Sequence, residues 1–334
     1  MSSDLAKIAI VGCGLIGLKR ANALAGARLV ACADKDQEKA ETFARHRSGC
    51  VPFGNWRDLL EGTSANVIIV ATSHDSLAGI TRAAVLAGKH VLVEKPACRN
   101  VRELEQLESL VETAGVCVRI GFNHRFHRAF RKARAIVDSG ELGSLMYVRA
   151  RYGHGGRLGY EKEWRADPRI SGGGELIDQG VHLIDLARWF LGDFVEVNGH
   201  AQTSFWNMPV DDNAFLLLRT ESSETAFLHA SCTEWKNIFS FEIYGKTGKL
   251  QIDGLGGSYG MERLSWYQML PEMGPPETSI WEYPMADDSW EVEMAEFLDD
   301  IRLKRMPNPG IRDAISAMKI VAKIYEKSGY DNCA

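Results

Sequence analysis

The sequence predicts an α/β chain in two domains: a doubly wound parallel sheet over residues 1–122, then a domain built on a mostly antiparallel sheet over residues 123–334. Three observations predict it. Apolar runs of strand length alternate with helical segments through the first domain. The first such run leads straight into Gly12-Cys13-Gly14-Leu15-Ile16-Gly17. After Phe122 the alternation gives way to strand-like segments with few helices between them.

Residues 8–11 are the first strand, and the helical stretch behind the glycines ends near Gly26. A second strand, 29–33, ends in Asp34; a helix over 36–47, a short strand at 51–53 and a helix around 55–60 follow. Residues 67–71 are apolar throughout, as suits the middle of a parallel sheet. A helix to Ala87 is capped by Gly88, and residues 90–93 form the next strand. Asn100 with Glu103 three positions on opens another helix, and 116–121 is a strand. Beyond Phe122 a basic helix over 124–137 ends at Gly140, and 145–152 reads as a strand. Alternating apolar positions mark strands at 214–219, 225–231 and 239–244. Two helices, 290–303 and 311–327, separated by Pro307 and Pro309, close the chain.

Composition narrows the function. At 334 residues and 45% hydrophobic the chain can bury a sizeable core, and a net charge of -5 argues against nucleic acid as its main partner. No signal peptide opens the sequence and no apolar run is long enough to span a membrane, so the expectation is a soluble, cytoplasmic protein. Seven scattered cysteines lack C-x-x-C spacing, which predicts reduced thiols and no metal site.

Glycine at positions 12, 14 and 17 allows a tight turn, close approach of backbone to a pyrophosphate, and close packing of helix on strand. Asp34 stands about 20 residues on, where an acid accepts hydrogen bonds from an adenosine ribose. It would repel a 2′-phosphate, which favours NAD over NADP, while the neighbouring Lys35 offsets part of that repulsion. The expected cofactor contacts are Gly12, Cys13, Gly14, Leu15, Ile16, Gly17, Asp34 and Lys35, with Ala71, Thr72, Ser73, Glu94, Lys95 and Asn123 at or beyond later strand ends.

Ligands of open parallel sheets collect at the carboxyl ends of the strands. Lys95 occupies such an end, between an apolar strand and Pro96, and is the first catalytic candidate. The second constellation is Asp178, His182 and Asp185, whose spacing places them along one face of a helix, with Leu176, Leu183, Leu186 and Trp189 serving the packed side. An Asp-His pair can orient and move a proton; it can equally be a plain helix contact. Between them, residues 153–174 are too long and too polar for an ordinary connection and read as a loop that covers substrate, carrying Tyr160, Trp164 and Arg165.

Four motifs in this order are specific: Gly12-x-Gly14-x-x-Gly17, Ala87-Gly88-Lys89-His90-Val91-Leu92-Val93-Glu94-Lys95-Pro96, Gly121-Phe122-Asn123-x-Arg125-Phe126, and Asp178-x-Gly180-x-His182-x-x-Asp185. Through them nearly the whole chain resembles the glucose-fructose oxidoreductase, inositol dehydrogenase and rhizopine-catabolism (Gfo/Idh/MocA) family. The resemblance implies an N-terminal Rossmann domain binding a nicotinamide dinucleotide and a C-terminal domain whose sheet is open-faced and often used for dimer or tetramer contacts. It puts the family's catalytic lysine on Lys95 and its aspartate and histidine on Asp178 and His182. Where many members carry Thr-Pro and then His, this chain has Thr72-Ser73 and then Leu77, a departure in the wall of the nicotinamide pocket.

The expected activity is hydride transfer between the nicotinamide and a secondary hydroxyl or ketone of a sugar, cyclitol or activated sugar, with Lys95 and His182 sharing the proton and Asp178 holding His182 or a substrate hydroxyl. Lys95, Arg125, Tyr160, Trp164, Arg165, Asp178 and His182 are the expected substrate contacts. Arg157, Lys162, Arg165 and Arg169 in the covering loop point to an anionic substrate, unless they pair with Glu161, Glu163, Asp167 and Glu175. Two other outcomes fit the same fold: a dinucleotide-binding sensor without catalysis, and an enzyme that keeps its NAD and returns the hydride.

Overall fold

The computed structural model describes residues 6–330. The chain divides into two units: residues 6–122 with Trp290–Ile315, and Asn123–Ser289 with residues 316–330.

In the first unit, strands β1 (Lys7–Val11), β2 (Arg28–Ala33), β3 (Val51–Phe53), β4 (Val67–Val70), β5 (His90–Glu94) and β6 (Val118–Gly121) alternate with helices α1 (Leu15–Ala21), α2 (Gln37–Arg45), α3 (Trp56–Gly62), α4 (His74–Leu86) and α5 (Val101–Ala114). The sheet runs β3-β2-β1-β4-β5-β6, every pair parallel. Strand order reverses between β1 and β4, which is where a doubly wound sheet opens a crevice. β4 is buried along its length and β1 from Ile8 onward because helices cover both faces, so β4 reads Val-Ile-Ile-Val without alternation.

Sequence contiguity assigned 290–315 to the second domain, whereas these residues pack in the first unit. Met294 and Phe297 of the helix Ser289–Leu303 join the core of Ile8, Ile10, Cys32, Phe43, Val67 and Ile69. Glu293 and Asp300 on the same helix ion-pair with the buried Arg20 and Arg119. A helix that answers two buried guanidiniums of another segment belongs with that segment.

The second unit holds an eight-stranded sheet. After α6 (Arg128–Asp138) come β7 (Leu145–Gly153), the short helix α7 (Pro168–Ser171), α8 (Val181–Leu191), β8 (Phe194–Gln202), β9 (Asn213–Thr220), β10 (Thr225–Ser231), β11 (Ile238–Gly245), β12 (Gly248–Asp253), β13 (Glu262–Gln268) and β14 (Glu277–Tyr283). The order is β14-β13-β12-β11-β7-β10-β9-β8; β7 and β10 run parallel and all other pairs antiparallel. Along β9, Ala214, Leu216 and Leu218 are buried while Leu217 and Arg219 are exposed, the period-two signature of a sheet covered on one face. Helices α6 and α8 supply the cover, with Phe130 against Phe239 and Phe241. The other face carries Tyr147 stacked on Tyr244 and Phe215 stacked on His229.

The expected helix over 124–137 begins later: Asn123–Phe126 is a tight 3-10 turn and His127 stands at the N-cap of α6 without a side-chain bond to it, while the second amide of the helix, that of Ala129, donates to Glu262. Six described cysteines are free thiols; Cys333 lies outside the described residues. No helix among the described residues is long and apolar enough to cross a membrane.

Candidate active site

In the first unit the glycines close the turn behind and leave it open in front. A Cβ on Gly12, whose φ is +102°, would lie 2.3 Å from the Ala71 carbonyl oxygen, and one on Gly17 would lie 1.9 Å from that of Gly12. A Cβ on Gly14 would meet nothing within 4 Å. Helix α1 starts there with no side chain capping its amides. The Asp34 carboxylate is fixed at the same turn, accepting from the Cys13 amide (2.9 Å) and from the Asp36 amide (3.0 Å). A free backbone face beside a fixed acid fits a dinucleotide: Gly14, Leu15 and Ile16 would hold the pyrophosphate and Asp34 the ribose. Lys35 points out and is exposed.

Ala71, Thr72 and Ser73 follow β4 half-buried, with the Ser73 hydroxyl donating to Asp75 (2.6 Å). Lys95 follows β5, half-buried, with a cis peptide to Pro96. Glu94, expected at the cofactor, is instead buried and paired with Arg20, whose Nε lies 2.7 Å away. Neighbours in an extended backbone point to opposite sides, so Glu94 faces inward where Lys95 does not. Arg20 is fully buried between Glu94 and Glu293 (2.5 Å).

The second unit carries the other candidates on a helix with an irregular start. Leu176–Gly180 is a π-turn leading into α8, and Gly180 lets it lie close to Ala230 of β10. Asp178 sits in the π-turn and His182 at the first turn of α8, both buried. The guanidinium of Arg165 donates to Asp178 (2.8 Å). The His182 ring stacks on His124, with centroids 3.7 Å apart and planes 18° apart. His124 Nδ1 lies 3.1 Å from Asn123 Oδ1, and Asn123 Nδ2 donates to Ser289. Asn123, expected at the cofactor, is thus buried and orients His124, a residue the sequence motif left as an unspecified position.

Arg125, expected at the substrate, is turned away from that task. Its Nε and Nη2 donate to the two oxygens of Asp185 (2.8 and 2.6 Å), a buried bidentate pair joining the Asn123–Phe126 turn to α8. Asp185 thus pairs with Arg125 while Asp178 pairs with Arg165. Two phenols complete the neighbourhood: Tyr152 lies 6.4 Å ring to ring from His182 and packs against Tyr259, which accepts from Gln179 (3.3 Å). Burial pushes the Tyr152 phenol well above its ordinary range, so it stays a donor.

The 153–174 segment is less irregular than expected, with 3-10 turns at Tyr160–Lys162 and Trp164–Ala166 before α7. Tyr160 is buried and its hydroxyl donates to Glu175 (3.4 Å); Trp164 lies under the Arg165 guanidinium. Arg157 pairs with Glu163, Arg169 with Asp167 and Arg165 with Asp178. Three of the four loop cations thus meet carboxylates of their own unit, against the expectation of an anionic substrate.

Two family models match the chain: an oxidoreductase family with an NAD-binding Rossmann fold over residues 6–122, and the GFO/IDH/MocA C-terminal domain over residues 130–251. Levoglucosan dehydrogenase of Pseudarthrobacter phenanthrenivorans is 25% identical over 253 residues, spanning 65% of this chain and 63% of that protein's length. The scyllo-inositol 2-dehydrogenase (NAD(+)) of Bacillus subtilis is 27% identical over 266 residues, spanning 75% of this chain and 74% of the relative. A solved levoglucosan dehydrogenase in complex with NADH superposes with a TM-score of 0.88 over 98% of this chain and 97% of that one, at 21% identity.

Proposed function

Since the chain belongs to the Gfo/Idh/MocA family of oxidoreductases, we propose that it is an NAD-dependent dehydrogenase, or reductase in the reverse direction, of a secondary hydroxyl on a neutral sugar or cyclitol. The observation that carries the cofactor reading is the Asp34 carboxylate held at the open face of Gly14. There it accepts from a ribose hydroxyl and repels a ribose phosphate. When bound, the nicotinamide supplies the hydride acceptor.

The chain's own residues manage orientation and the proton. Lys95 and His182 serve the same reacting hydroxyl, one taking its proton at nitrogen and the other hydrogen-bonding its oxygen. The His124 ring fixes the plane of His182, and Arg165 fixes Asp178, which holds His182 or a substrate hydroxyl. The pairing of the loop arginines with carboxylates favours a neutral polyol over a sugar phosphate or uronate. The stacked aromatics on the exposed sheet face fit an oligomer, a homodimer or homotetramer, joined through that sheet.

The test is a screen of the purified protein with NAD and with NADP against levoglucosan, inositols and aldoses, each beside a phosphorylated or uronate counterpart. We expect turnover of a neutral polyol with kcat/KM at least about tenfold higher for NAD. Equal or better use of NADP would refute the Asp34 assignment, and preference for the charged counterparts would refute the neutral substrate.

A further inference from the structure

The π-turn that carries Asp178 has no cap of its own: Glu175, which precedes it, makes no side-chain hydrogen bond to its amides. The amides at its start end instead on one residue of a different segment. Gly174 N–H donates to Asp211 Oδ1 (2.8 Å), Leu176 N–H to Asp211 Oδ2 (2.7 Å), and Glu175 N–H to the Asp211 main-chain carbonyl (3.0 Å). Tyr325 donates its hydroxyl to Oδ1 (2.7 Å) and accepts a second bond from Gly174 N–H (3.1 Å). Asp211 is 0% exposed and Tyr325 1%.

The chain is shaped to this clamp. A Cβ on Gly174 would lie 1.9 Å from the Asp211 carbonyl oxygen, and one on Gly173, at φ +154°, would lie 2.2 Å from the Tyr325 hydroxyl. Only glycine brings the backbone so near. The Gly174 carbonyl in turn accepts from the Asp178 amide (3.1 Å), so whatever fixes Gly174 fixes Asp178.

We infer that Asp211, held by Tyr325, is a positioning residue for catalysis, setting the height and rotation of the π-turn and thereby of Asp178 and His182. The inference rests on those two residues acting in the reaction. A simple fold-stabilising contact would not need a carboxylate here: burial without a cation among its hydrogen-bond partners is costly, and pushes Asp211 up to about 6 against the pull of its hydrogen bonds. What the carboxylate uniquely offers is two acceptor oxygens at fixed separation for two amides and a phenol. Its amide counterpart would turn an N–H toward one of those donors.

The experiment compares Asp211→Asn, Tyr325→Phe and the double variant with the parent, on the best substrate of the screen and below every melting temperature. We expect Asp211→Asn to lower kcat about 10- to 100-fold, the scale of a displaced catalytic group, with the Kd for NADH unchanged. Tyr325→Phe should act in the same direction but less, and the double variant should fall no further than Asp211→Asn alone, since both act through one turn. Parental kcat in folded Asp211→Asn, or independent multiplicative losses, would overturn the inference. If Asp211→Asn does not fold, parental kcat in Tyr325→Phe overturns it. Full turnover in His182→Ala, measured alongside, would instead sink the catalytic reading on which it rests.

Discussion

Two carboxylates stand directly behind the candidate catalytic residues, and the chain holds them in opposite ways. In the first unit, Glu94 precedes Lys95 and is neutralised by the buried guanidinium of Arg20, itself shared with Glu293. Gly121 makes room for the pair, since a Cβ there would lie 2.8 Å from Arg20 Nη2. In the second unit, Asp211 behind the π-turn accepts from two backbone amides and a phenol. The ionic device joins three chain segments, β5, α1 and the helix Ser289–Leu303, so it is part of what makes that unit one body. The amide device also draws in a third segment through Tyr325, but its amides belong to one turn, which it aims. Breaking the first should therefore cost stability, and breaking the second should cost rate.

The largest effect expected from that contrast is on Arg20. Arg20→Met leaves Glu94 and Glu293 buried without their cation, a loss of about 3–5 kcal/mol for a broken buried pair. Urea unfolding should show an earlier midpoint for the first unit, and in the surviving folded fraction kcat should stay within about threefold of the parent. A midpoint unchanged by Arg20→Met would mean that the triad carries no stability.

A smaller effect sharpens the comparison through pH. Glu242 on β11 is buried too, which by itself raises a carboxyl, but hydrogen bonds from Arg149 and Lys249 and the Lys249 charge overcome this and hold it at about 2. Its contribution is present above its unfolded value of 4.5 and lost as pH falls from there toward 2. Asp211 runs the other way. Its folded value, about 6, lies above the unfolded 3.8, so the folded chain takes up a proton first and this carboxyl adds stability as pH falls from 7 through 6 toward 3.8. Urea midpoints measured between pH 7 and 3 should show Glu242→Gln removing an acid-side loss and Asp211→Asn removing an acid-side gain, each about 1–3 kcal/mol at most. The same sign for both would show that the cations around Glu242 do not govern it.

Much of this was legible in the residues, for identifiable reasons. The parallel sheet and its crevice follow from local signals: buried runs such as Val67–Val70, the glycines at 12, 14 and 17, and Asp34 at a strand end. Each acts within a few residues of itself, so spacing suffices to find it. The long-range partnerships were not legible. Glu94 read as a cofactor contact because its partner, Arg20, lies 74 positions away, and Arg125 read as a substrate contact because Asp185 lies 60 away. Nothing in the spacing of 178, 182 and 185 announces a π-turn, which separates Asp178 from Asp185 and turns them to different partners. His124 stood inside a quoted motif as an unnamed position, and only its stacking on His182 marks it. One signal was available and unused: Asp211-Asp212, adjacent acids at the start of an apolar strand, must both find donors, and they do, in the Gly174–Leu176 amides and in those of Ser204, Phe205 and Trp206.

The central claim is that Lys95, presented at the end of β5 by this buried framework, handles the proton of the reacting hydroxyl. Steady-state kinetics of Lys95→Ala, with NADH affinity measured in parallel by fluorescence, tests it most directly. The account predicts a fall in kcat of about two to four orders of magnitude, the contribution of a positioned acid-base group, with the Kd for NADH within about threefold of the parent. Turnover near the parental rate in Lys95→Ala would contradict it.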